Sequence, residues 1–140
     1  MSEANKAISR RIFDIFSGGD LSILDEVLAD SYVDHNPFPG QAPGREGVTQ
    51  IITDMRAAFP DLQVTQEDQI AEGDKVVTRW SASGTHQGDF QGIPPTGKRV
   101  DVSGIVIDRI AGGQMVDHWE QFDSMSMMIQ LGAIPAPGQG

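Results

Sequence analysis

The chain has 140 residues, with 20 acidic against 10 basic side chains, a net charge of −10 and no cysteine. That charge repels phosphate backbones and no Lys/Arg cluster overrides it, which excludes nucleic-acid binding. The missing cysteines exclude disulfides, thiolate nucleophiles and Cys-ligated zinc. No stretch approaches membrane-spanning length and the N-terminus lacks an uninterrupted apolar run, so a cytoplasmic protein without membrane contact is expected. The length suits one domain, 1–140, with a single sizeable core.

The first elements are helical. Residues 3–17 set Ile8, Ile12, Ile15 and Phe16 on one stripe, and "SGG" stops the run. Asp20 is placed to cap a short second helix, "LSILDEVLA". "SYVDHNP" breaks the helical period and predicts a short strand ending at Pro37, followed by a Pro/Gly turn over residues 38–44. Residues 45–59 resume helical spacing until Pro60. Four strand-like runs follow, 62–72, 75–86, 98–110 and 114–123, with "EGDK" and "AGGQ" as tight turns and "QGDFQGIPPTG" as a longer loop. "SMSMMIQLG" predicts a short terminal helix, and "IPAPGQG" after it should fray. Helices segregated from a run of strands predict an α+β domain.

"MVDHWEQFD", residues 115–123, is the stretch with chemistry. Alternation puts Val116, His118, Glu120 and Phe122 on one side and Met115, Asp117, Trp119, Gln121 and Asp123 on the other. Either choice of inward face buries charge. The three histidines, His35, His86 and His118, lack the spacing of a metal site, so no metal ligand is assigned. No Gly-x-Ser-x-Gly elbow marks a serine hydrolase.

The element order, with "YVDHNPFPGQAPGREGV", "GTHQGDFQGIPPTGKRV" and "GGQMVDHWEQFDSMSMMIQLG", resembles the SnoaL-like polyketide cyclase and ester cyclase family within the nuclear transport factor 2-like superfamily. The resemblance implies a cone-shaped α+β barrel: a curved antiparallel sheet with three N-terminal helices lidding a cavity. Such a cavity takes a small hydrophobic molecule. By likeness to the ketosteroid isomerases of the same fold, Val116, His118, Glu120 and Phe122 point inward, with Val102, Gly104 and Val106 on the neighbouring strand. Trp80, Ala82 and His86 share the wall, Phe90 and Ile93 rim it from the loop, and Phe16 and Ile12 line it from the first helix. The isomerases' carboxylate base matches Asn36 and their oxyanion tyrosine matches Ile12, so their chemistry does not transfer intact. His35 is a second acid/base candidate at the mouth.

The family's cyclases close a ring by intramolecular aldol chemistry, with an aspartate as acid/base and no metal or cofactor; turn-based counting matches that aspartate to His118. The expected function is therefore cofactor-free acid/base chemistry on a small carbonyl-bearing or polycyclic molecule, by cyclisation or isomerisation. The catalytic candidates are His118, Glu120, Asn36 and His35. The alternatives are a non-catalytic binding module and an epoxide-hydrolase-like enzyme, the latter needing an inward Asp-Arg-Asp trio. An outward patch of Met115, Trp119, Ile105 and Ile107 predicts a homodimer through the convex sheet face. His118→Ala is expected to lose turnover yet keep its melting temperature within a few degrees.

Overall fold

A computed structural model describes residues 2–135. It contains α1 (Ser2–Phe16), α2 (Ile23–Val27), β1 (Leu28–Asp34), α3 (Gly44–Ala58), β2 (Gln63–Glu72), β3 (Lys75–Thr85), β4 (Arg99–Ala111), β5 (Gln114–Phe122) and α4 (Ser124–Leu131). The C-terminal "APGQG" lies outside the described residues. No helix among them is long and apolar enough to cross a membrane.

The five strands form one sheet in the order β1-β5-β4-β3-β2. Both hairpins follow from their turns, and in the β4–β5 turn Gly112 and Gly113 take φ of 59° and 78°. Positive φ at both central residues is what a tight hairpin matching the strand twist needs. The sheet is mixed rather than wholly antiparallel, because β1 runs parallel to β5. β1 is an edge strand joined to helices at both ends, so no hairpin dictates its direction.

The second helix is shorter than its pattern suggests. Leu28 and Ala29 continue the apolar spacing of α2, but Leu28 pairs with Met115 and opens β1. Asp20 sits before the helix; its Oδ1 accepts the Ser22 N–H at 2.9 Å, and Ser22 holds the N-cap position without a side-chain hydrogen bond.

One bulge changes a face. Between β4 and β5 the register shifts at Arg109/Ile110, pairing Arg109 with Asp117 and Ile110 with Met115, so Val116 is the extra residue. A bulge reverses alternation locally. Met115 therefore turns into the core at 3% exposure instead of joining the convex patch. From Asp117 onward the expected phase returns, and Gly104, Val106 and Asp108 stand opposite Phe122, Glu120 and His118.

The core falls into two clusters. Ile15, Leu24, Leu28, Tyr32, Ile52 and Ile110 close one end of the cone, and Phe59, Leu62, Phe90, Val100, Met127 and Leu131 close the other. Between them Gly104 clears space on β4. A Cβ there would lie 2.6 Å from Phe122 Cβ and 2.7 Å from Trp80 Cζ2. We expect Gly104→Ala to cost about 1–3 kcal/mol by overpacking. Urea unfolding checks this, and an unchanged midpoint would show that the wall yields freely.

Candidate active site

The inward phase of β4 carries a carboxylate between Val106 and Ile110. Asp108 is 1% exposed. Its Oδ1 meets His118 Nδ1 at 2.5 Å across the β4–β5 pair, and its Oδ2 accepts the Ser9 hydroxyl of α1 at 2.9 Å. Both oxygens are thus engaged, as a buried carboxylate requires. On the other edge of the imidazole, His118 Nε2 lies 3.5 Å from Glu120 Oε1. That is long for an N–H···O bond, and it leaves the Nε2 proton loosely held.

Burial alone would depress the His118 pKa. Hydrogen bonds to Asp108 and then Glu120, with the negative charges behind them, outweigh it and push the imidazole up to about 10. His118 is therefore an imidazolium at neutral pH, between one carboxylate fixed in the core and one turned to the cavity.

β1 supplies the facing groups. Tyr32 and Asp34 share one strand phase, Asn36 follows in the bend after it, and all three line the cavity. Asn36 Oδ1 accepts the Glu120 N–H at 2.8 Å, which fixes the amide and leaves Nδ2 as donor. Asp34 is occupied locally, accepting from the Asn36 N–H at 2.9 Å and from Gln41 Nε2 at 3.1 Å. The Tyr32 hydroxyl is pushed well up by burial and by the surrounding acids, so it stays a neutral donor. The rest of the wall is apolar and includes Ile12, Phe16, Trp80, Val102, Val106 and Phe122.

Three expected site residues lie elsewhere. His35 lies in the bend after β1 and is absent from the cavity lining. Its Nε2 meets Asp117 Oδ1 at 2.9 Å, and its ring stacks on Trp119 with centroids 4.6 Å apart. His86 is buried beyond the cavity wall. Its Nδ1 accepts the Thr96 N–H at 3.2 Å, so it carries its proton on Nε2, and the ring rests 5.5 Å from Phe59. Phe90 is no rim either. The loop folds back through paired Phe90–Ile93 backbone hydrogen bonds, and the Phe90 ring packs 5.6 Å from Phe59 and 6.4 Å from Phe38. Phe38 is the ring that reaches the cavity, with Phe90 behind it.

Sequence reasoning missed Asp108, Ser9 and Tyr32. For Asp108 the signal was present: the phase through Val102, Gly104 and Val106 arrives there two residues later. Tyr32 likewise lies four residues before Asn36, and both line the cavity. Ser9 had no comparable signal, being a small polar residue beside an apolar helical stripe. An Asp-Arg-Asp trio does exist, with Arg109 Nε at 2.7 Å from Asp117 and its NH1 nitrogen at 3.7 Å from Asp74. It sits on the opposite face, and no arginine lines the cavity among the described residues. No group of three or more His, Asp or Glu side chains there is arranged to hold a metal ion.

The Asp108 contact overturns the expectation that His118→Ala keeps its melting temperature. Removing one partner of a buried ion pair leaves an uncompensated charge, typically about 3–5 kcal/mol of destabilisation. The sign with pH follows from the raised value. The His118 contribution is complete below its unfolded value of 6.5 and is lost as pH rises through about 10. We expect the imidazole NMR resonances to show a protonated ring at pH 8, and Asp108→Asn to bring its titration down by more than one unit. A wild-type midpoint near 6.5 would contradict the ion-pair account.

A protein-family model described as SnoaL-like polyketide cyclase matches residues 6–131. Aklanonic acid methyl ester cyclase DauD of Streptomyces sp. (strain C5) is 29% identical over 129 residues, covering 88% of this chain and 78% of the relative. The nogalonic acid methyl ester cyclase of Streptomyces nogalater is 29% identical over 121 residues, covering 84% and 89%. Among solved structures, TsrD from Streptomyces laurentii superposes with a TM-score of 0.87 at 31% identity, covering 96% of this chain and 98% of that one. With the cone, its apolar cavity and this match along most of its length, the chain belongs to the SnoaL-like polyketide cyclase family.

Proposed function

We propose that the protein is a cofactor-free acid/base enzyme that forms an enolate from a carbonyl-bearing polyketide-like molecule and closes or isomerises it, as an intramolecular aldol cyclase does. The observation that carries this reading is the His118 imidazole set between buried Asp108 and cavity-facing Glu120 in an apolar cone.

Roles follow from protonation. An imidazolium cannot abstract a proton, so Glu120 takes the hydrogen from the carbon next to the substrate carbonyl. The His118 Nε2–H and the Tyr32 hydroxyl donate to the enolate oxygen as charge develops there. The enolate carbon then bonds to a second carbonyl carbon, whose oxygen collects a proton from the His118–Glu120 unit. One C–H bond and the π bond of the second carbonyl break, one C–C and one O–H bond form, and the proton count closes without oxidant or cofactor. Asn36 supports this by holding the Glu120 backbone and offering Nδ2 to a substrate oxygen. His118 is the central proton donor, and Asp108 fixes its ring.

A non-catalytic binding module is the second reading, because the Asp108–His118 pair also satisfies itself as core structure. Deuterium exchange into 2-tetralone and 1,3-cyclohexanedione separates the two. The enzyme should accelerate exchange and Glu120→Gln should lose about 10²–10⁴-fold, whereas a binder leaves the ketones alone. The rate should be level through neutral pH and fall as pH rises through about 10, where His118 loses its proton. A rate that climbs through pH 6.5 would instead make neutral imidazole the base.

Homodimerisation through the convex face is part of this reading in reduced form. Ile105 and Ile107 remain 49% and 38% exposed, while Met115 has left the patch. Sedimentation at micromolar concentration should give about twice the 15.1 kDa chain mass, and a monomer would remove the dimer.

A further inference from the structure

The acid/base chemistry leaves one buried hydroxyl of the first helix without a role. Ser9, on α1, is 0% exposed, and its Oγ donates to Asp108 Oδ2 at 2.9 Å, on the carboxylate whose Oδ1 meets His118 Nδ1 at 2.5 Å. We propose that Ser9 is a positioning residue that acts through Asp108 to make His118 the stronger proton donor. The proposal rests on the acid/base reading of the same cavity and extends the proton-donating unit from the sheet to α1.

Three observations support the assignment. First, the hydroxyl is directed across the fold rather than along its own helix. A serine or threonine inside a helix commonly bonds the carbonyl one turn back, as Thr49 does to Arg45 at 3.0 Å and Thr53 to Thr49 at 2.8 Å in α3. The Ser9 hydroxyl instead reaches a strand residue 99 positions away. Alanine would be the better helix former at this position, so the helix itself gives no reason for a serine. Second, the hydroxyl acts more on one charge state than on the other. While His118 holds its proton, the imidazolium balances Asp108. Once Nε2 has given its proton to a substrate oxygen, the Asp108 charge stands unbalanced in an apolar core, and a donor on Oδ2 stabilises it more. Ser9 thereby favours the state after proton donation. Third, the other groups around the pair act in the opposite sense or not at all. Glu120 on β5 and Asp34 on β1 are acids that hold a proton on the imidazole, and the Tyr32 hydroxyl bonds neither Asp108 oxygen. α3 presents Val48, Ile51 and Met55 to the cavity, and Arg109 pairs with Asp117 on the opposite face. Among the described residues Ser9 is the one neutral donor on Asp108.

The test follows the His118 ring by NMR from neutral to strongly alkaline pH. In Ser9→Ala its midpoint should rise from about 10 by about half a unit, threefold in proton affinity. Ser9→Thr keeps a hydroxyl and should restore the wild-type midpoint. Ile8→Val trims the preceding residue of the same helix, which packs on the core without touching the carboxylate. It should lower the melting temperature and leave the midpoint in place. The alkaline limb of ketone exchange should move up with the midpoint in Ser9→Ala. A Ser9→Ala midpoint that stays or falls, a Ser9→Thr midpoint that follows it, or an equal shift in Ile8→Val would each overturn the assignment. Should Ser9→Ala not fold, wild-type protein carries the test. Its Ser9 Cβ resonance should shift through the same alkaline step as the His118 ring, and a resonance that stays still there overturns the coupling. The ring titration needs no turnover. If exchange fails while the midpoint rises in Ser9→Ala and is restored in Ser9→Thr, the acid/base reading falls and the action of Ser9 on His118 stands.

Discussion

A carboxylate at 1% exposure in an apolar cone persists only if its charge and both its oxygens are met. Asp108 meets that condition with His118 from β5 and Ser9 from α1, and those two contacts tie the helical lid to the centre of the sheet. The register of β4 against β5 must then be the one that sets Asp108 opposite His118. The bulge at Val116 makes this compatible with burying Met115 one position earlier. Slipping one strand by one residue would turn either the carboxylate or the imidazole to the solvent face and leave the other buried without its partner.

The same pair decides what the cavity can do. By holding the imidazole protonated, Asp108 removes His118 from the bases and makes it an acid, and it passes the basic role to the carboxylate left on the cavity side. Nothing else in the lining competes for that role, since both Asp34 oxygens are committed to Asn36 and Gln41. The apolar wall strengthens these charges by keeping water away from them. Ordered sites of this kind need few polar groups, each fixed by a second. Asn36 is fixed by the Glu120 backbone, and His118 by Asp108.

Most of the element order was legible because long runs with clear period carry it; alternation put His118, Glu120 and Phe122 on one side of β5, and only the resemblance to the ketosteroid isomerases turned that side inward. What was not legible depends on register and on neighbours distant in sequence. The parallel placement of β1 is set by the chain path between two helices, which no local pattern encodes. The inward turn of Met115 comes from one extra residue in a hairpin, and a strict alternation count carries it to the wrong face. His86 and Phe90 have the right residue types for a wall, but the loop folds them behind Phe59 and Phe38. Asp108 continues the phase of Val102, Gly104 and Val106, but a charged residue on an apolar face is legible as inward only once its partner His118 is known to stand opposite.

Two Asp–His pairs stand back to back on this sheet, and comparing them isolates what burial contributes. Asp117 and His35 meet at 2.9 Å on the convex side, with side chains 17% and 37% exposed and Arg109 sharing the carboxylate. Asp108 and His118 meet at 2.5 Å inside, at 2% and 19%. The residue types and the reach are the same. On the outer face water and salt screen the charges, and an exposed pair of this kind contributes little. The hydrogen bond from His35 lowers the Asp117 pKa against the opposing effect of burial, the Arg109 guanidinium adds to the lowering, and the pair ends as surface decoration of the hairpin. Inside, burial disfavours the charged imidazole, but the hydrogen bonds to Asp108 and Glu120, with their weakly screened charges, outweigh it and the imidazole keeps its proton far above its ordinary range. A sequence shows two histidines near two aspartates with equal claim to chemistry. The face of the strand separates them, because only the inner pair faces a cavity from which water is excluded and in which a held proton has a substrate to go to.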